Sequence, residues 1–76
     1  QISIFPNPTP GQVHIQMLSK TMNKAVLTVK DLYGKEVLRQ QISRITEIEC
    51  NLSAGVYFFS IISDNFAPYT QKVVKY

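Results

Sequence analysis

Through most of this chain, apolar residues recur at every second position, in short runs. The three-and-four spacing of a helix face is almost absent. In "QVHIQML", Val13, Ile15 and Met17 fall on one side and His14 and Gln16 on the other. "AVLTVKDL" sets Ala25, Leu27 and Val29 against Val26, Thr28 and Lys30. "ITEIEC" sets Thr46 and Ile48 against Glu47 and Glu49. "GVYFFSIIS" is apolar both ways, with Tyr57, Phe59 and Ile61 on one face and Val56, Phe58 and Ile62 on the other. "KEVLRQQI" breaks step with two adjacent apolar residues, Val37 and Leu38, while "ISIF" at 2–5 and "YTQKVVK" near the end add two more β-prone runs. Successive strand side chains point to opposite faces, so such a pattern makes strands that bury one side.

Turn-forming clusters separate these runs at intervals of about 8–12 residues. They are the proline-rich segment 6–11, "SKTMN" at 19–23, "YGK" at 33–35, "QISR" at 41–44, "NLSAG" at 51–55 and "DNFAP" at 64–68. The expectation is an all-β chain, an Ig-like antiparallel β-sandwich of about seven short strands. Seventy-six residues make one domain with one modest core. The content of 45% apolar and 17% charged residues suits a folded chain rather than a disordered one.

Two turns have a local mechanism. In "DLYGKEV", Gly34 takes positive φ without a steric clash, and Asp31 bonds nearby backbone donors. In "NLSAGVYF", Gly55 precedes a strand whose second apolar residue is Tyr57. Its hydroxyl either bonds back to upstream backbone, as in the tyrosine corner of sandwich folds, or meets solvent. The segment "FPNPTPG" is stiff: Pro6, Pro8 and Pro10 lack backbone donors and push Phe5, Asn7 and Thr9 toward extended conformations. It reads as a rigid, polyproline-like crossover between sheets that cannot pair as a central strand, with Gly11 freeing the backbone beyond it.

The usual marks of catalysis are missing. His14 is the single histidine and reads as a solvated surface side chain. Cys50 is the single cysteine, without a neighbouring base, and reads as a buried or half-buried thiol. The five acids are dispersed and the three glycines isolated, so neither a metal, a cofactor nor a phosphate loop is expected. The net charge of +3 comes from scattered Lys and Arg, which argues against a nucleic-acid partner. The longest apolar run, 56–62, is too short to span a bilayer. "NLS" at 51–53 fits a glycosylation acceptor, a pattern common by chance. The stripe Val56, Phe58, Ile62 reads either as an exposed interaction surface or as a face covered by the loop 64–68. The chain starts with Gln1 and no signal peptide is visible, so a segment of a longer protein is expected.

"FPNPTPG", "VKDLYGKEV", "LSAGVYFFSI" and "TQKVVK" follow one another in this order over nearly the whole chain. Together they resemble the C-terminal sorting domain of type IX secretion cargo in Bacteroidetes-type bacteria. Pro6, Asn7, Pro8 and Gly11 match the opening motif of that family. Asp31, Leu32, Gly34 and Lys35 match its hairpin, Leu52, Gly55 and Tyr57 its late strand, and Lys72 and Lys75 its terminal strand. Phe5 stands where Tyr is frequent.

The resemblance implies a single non-catalytic domain, residues 1–76, at the end of a secreted cargo. Such a domain is recognised by an outer-membrane translocon and is often cleaved by a sortase-like peptidase. The cargo passes through the periplasm and is then attached to the cell surface or released. On this reading the prolines hold the domain away from its cargo, and recognition rests on folded shape plus the last strand, so deletion of 70–76 should abolish export. A second reading is an Ig-like module of a surface protein that binds glycan or protein. Open strand edges also leave room for a dimer.

Overall fold

The computed structural model of the chain describes residues 2–17, 25–64 and 66–76. Seven strands are formed: β1 (Ile2–Phe5), β2 (Gln12–Met17), β3 (Ala25–Lys30), β4 (Glu36–Ile42), β5 (Ile45–Glu49), β6 (Gly55–Ser63) and β7 (Phe66–Lys75). They make two antiparallel sheets, β1-β2-β5 and β4-β3-β6-β7, packed as a sandwich. An immunoglobulin constant domain keeps its fourth strand beside the fifth. Here β4 stays beside β3, and the chain changes sheet at the corner 43–44, where the Met17 amide bonds the Arg44 carbonyl at 2.8 Å.

The alternating faces land as the period of two requires. Val13, Ile15, Met17 and Ile48 face inward from the smaller sheet. Ala25, Leu27, Val29, Tyr57, Phe59, Ile61 and Val73 face them from the larger one. The adjacent Val37 and Leu38 are explained by a bulge. Leu38 pairs with Val29 and Glu36 with Lys30, leaving Val37 as the extra residue. Both are half-buried and pack on the core.

Two expectations need correction. The proline-rich segment does not cross between sheets, because β1 and β2 lie side by side in the same one. The Phe5–Pro6 and Asn7–Pro8 bonds within the segment are cis. The turn expected over 64–68 is shorter, since β7 already begins at Phe66. Pro68 is accommodated because β7 is an edge strand with an irregular register between Ile61 and Ser63. The turn expected at 19–23 lies outside the described residues.

Candidate functional site

Strand direction brings the motif-bearing segments to one end of the sandwich. Phe5, Gln12 and Glu49 close one end of the smaller sheet; Lys30, Glu36, Gly55 and Lys75 close the matching end of the larger one. The two ends meet where the Thr9 amide bonds Val74 O at 2.8 Å and the Cys50 amide bonds Gly11 O at 2.7 Å. Segment 6–11, hairpin 31–35, loop 50–54 and the end of β7 therefore share one end.

Asn7 is the clearest device there. β7 is an edge strand and presents unpaired backbone groups on its outer side. The Asn7 carboxamide donates to Lys72 O at 2.9 Å and accepts from the Val74 amide at 2.9 Å. A side-chain amide thus does what the backbone of another strand would do. Thr9 continues the contact as a parallel bridge to Lys75, and its carbonyl accepts from the Tyr76 amide at 3.1 Å. One strand further in, Gln71 Nε2 donates to Ile4 O at 3.2 Å. The segment expected to hold the domain away is instead fastened along the domain's own last strand.

Thr9 has only 1% of its surface exposed. Its hydroxyl donates to Gln12 O at 2.7 Å and accepts from the Gly11 amide at 3.0 Å, so its burial leaves no polar group unmet. Gly11, also buried, has φ +147°, a region that side-chain-bearing residues avoid. Pro6 and Pro8 are exposed on either side of Asn7.

The late strand joins the same cluster. Gly55 pairs with Lys75 and Tyr57 with Val73. The buried Tyr57 hydroxyl donates to Ser53 O at 2.7 Å, closing the loop as a tyrosine corner rather than reaching solvent. Leu52 packs on the core. Cys50 is buried, and its thiol pKa is raised, first by burial and then by Glu49, with Lys75 pulling the other way. A thiol so held is a poor nucleophile.

The hairpin lies on the far side of the same end. Asp31 Oδ1 accepts from the Tyr33 and Lys35 amides, each at 2.9 Å, and Gly34 has φ +82°. Among the described residues, no hydrogen bond joins this turn to the other three segments. It leaves Leu32 62% and Tyr33 94% exposed.

His14 is not simply solvated. Its ring stacks on Phe5 with centroids 5.3 Å apart, and Nδ1 lies 3.3 Å from Glu47 Oε2. Register makes Phe5, His14 and Glu47 one cross-strand row that anchors the start of the proline segment. Sequence reasoning marked Asn7 and the lysines of β7 but missed Thr9, Gln71 and Ser53. Thr9 could have been suspected as the one hydroxyl inside the proline run; Gln71 and Ser53 carry no local signal.

Comparison with curated proteins gives no match. Comparison with family models matches residues 3–76 to the family described as the secretion system C-terminal sorting domain. All four motif segments, and every strand but the first residue of β1, fall inside that match, and the chain belongs to the family of type IX secretion C-terminal sorting domains.

Proposed function

We propose that this domain directs the protein carrying it through the outer-membrane translocon of the type IX system, for surface attachment or release, and that it does so without chemistry of its own. The observation that carries this reading is the joining of the opening and closing motifs through Asn7, Thr9 and β7. A receptor that reads the motif end meets a folded surface assembled from segments more than sixty residues apart. The expected route is the periplasm, then recognition at the outer membrane and removal by a sortase-like peptidase.

The test is a fusion of residues 1–76 behind a signal peptide and a fluorescent reporter. It is expressed in a host with a working type IX system and in the translocon mutant of that host. Reporter outside the first and trapped in the second is the expected result. Reporter trapped in both, with the domain folded, overturns the reading. The exposure of Tyr33 at 94% and Tyr76 at 68% favours one alternative, a surface module that binds glycan or protein through that end. Glycan-array binding lost in Tyr33→Ala would support it.

A further inference from the structure

The outer face of the larger sheet has no role in the arrangement so far. Val26, Thr28 and Lys30 of β3, and Val56, Phe58, Ser60 and Ile62 of β6, alternate with core residues and therefore point outward. Register places Glu36, Lys30, Phe58 and Lys72 in one row across all four strands. Phe58 is half-buried between two exposed lysines. The lysine backbones stand about 10 Å apart, two ladder spacings.

Among the described residues, Lys30, Arg39 and Lys72 project from the strands of this face with the carboxylate of Glu36 among them, and Asp64 lies at its far edge beside Val26, Gln41 and Ile62. The Glu36 carboxylate is engaged by Arg39 at 2.9 and 3.1 Å, and its pKa is lowered chiefly by those bonds. Among the described residues neither Lys30 nor Lys72 forms a salt bridge, although Lys30, opposite Glu36 in register, also helps to lower the pKa of that carboxylate. Ile62 is 51% exposed, and 66–68 belong to the strand β7 rather than to a loop. The opposite outer face is of the other sign: among the described residues, its strands carry Glu47 and Glu49 and neither Lys nor Arg. The two faces of the sandwich are therefore oppositely charged, and only the basic one carries an apolar stripe along its central strand.

We propose that this row is a docking surface for an acidic protein surface of the export machinery, with Phe58 as the apolar anchor and Lys30 and Lys72 as its charged rim. The proposal rests on the sorting reading above and names the chemistry of the partner. An apolar centre with a charged rim is the usual anatomy of a specific interface, and an excess of one sign of charge steers an oppositely charged partner to it.

The experiment compares two variants of the reporter fusion that shift net charge equally. Lys30→Gln/Lys72→Gln neutralises the row. Ser3→Glu/Ile45→Glu adds the same change to the opposite face, at the end away from the motif segments. Both alter side chains outside the core, and thermal melting of the purified domains confirms folding. The expected result is export reduced about tenfold in the lysine variant and unchanged in the opposite-face variant. Equal export in both, or an equal fall in both, overturns the proposal while the sorting reading stands. Failure of the unaltered fusion to leave the cell sinks the sorting reading and this inference with it. Sedimentation and flotation on anionic vesicles test other occupants. Self-association, or vesicle binding, that disappears in the lysine variant would assign the face to a second copy or to lipid, and overturns it as well.

Discussion

At the scale of single residues, several side chains carry a large share of the specificity. Asn7 makes two hydrogen bonds to β7 from an exposed position, so Asn7→Ala should lower unfolding free energy by about 1–2 kcal/mol. Asn7→Asp should cost more, because it keeps the acceptor but turns a second oxygen toward Lys72 O; urea denaturation of the two variants checks the order. Tyr57→Phe removes only the bond to Ser53 O and should cost about 1 kcal/mol by the same measurement. The two positive-φ glycines should separate. Gly34→Ala meets open space at φ +82° and should cost about 1 kcal/mol. Gly11→Ala at φ +147°, inside the fold, should cost more. Cys50 gives the pH behaviour. Its folded pKa is raised above the ordinary 9.0, so its contribution is fully present below that value. It is lost as pH climbs through the raised value, because only the unfolded thiol ionises freely. Alkylation should be slow in the native protein and fast in urea.

At the scale of elements, the point of interest is how β7 survives as a long edge strand. Pro68 removes one donor from it, and Asn7 and Thr9 occupy the half from Lys72 to Tyr76. The amides of Val74 and Tyr76 should therefore be protected from hydrogen exchange in the native domain. In Asn7→Ala the Val74 amide should lose protection first; equal protection in both proteins would show that the carboxamide does not guard the edge. Deletion of 70–76, the direct way to ask whether the last strand is the export handle, also removes Val73, which is 1% exposed in the core. Loss of export on that deletion would report unfolding as much as recognition, so point changes at Lys72 or Asn7 separate the two.

At the scale of the whole molecule, a chain this short has a thin margin. Its total stability is roughly 4–11 kcal/mol by the usual per-residue figure. Phe59, fully buried at the centre of the larger sheet, should cost about 3–5 kcal/mol as Phe59→Ala and leave much of the population unfolded at 37 °C. Ile62→Ser, on the outer face, should change the melting midpoint little. The contrast follows from the period of two: neighbours in β6 meet opposite environments.

That period is also why so much could be read before any fold was known. A strand's inward and outward faces are set by local geometry, so the seven runs, the core residues of β2, β3 and β6 and the Asp31 turn were legible residue by residue. The Tyr57 corner was one of two readings left open until the fold placed Ser53 O within reach of its hydroxyl. Where local rules conflict with context, the reading failed. Pro68 looked like a turn because only the sheet order reveals that β7 is an edge. Val37 looked out of step because a bulge is a relation between two strands. The burial of Thr9, the sheet to which β4 belongs and the use of Asn7 as a stand-in strand depend on which distant segments the closed sandwich brings within hydrogen-bonding reach. Side-chain alternation and turn chemistry act over a few neighbours and were determined by the sequence alone. The partners of backbone groups left open at an edge are chosen only when the whole chain has packed, and the tertiary structure decided them.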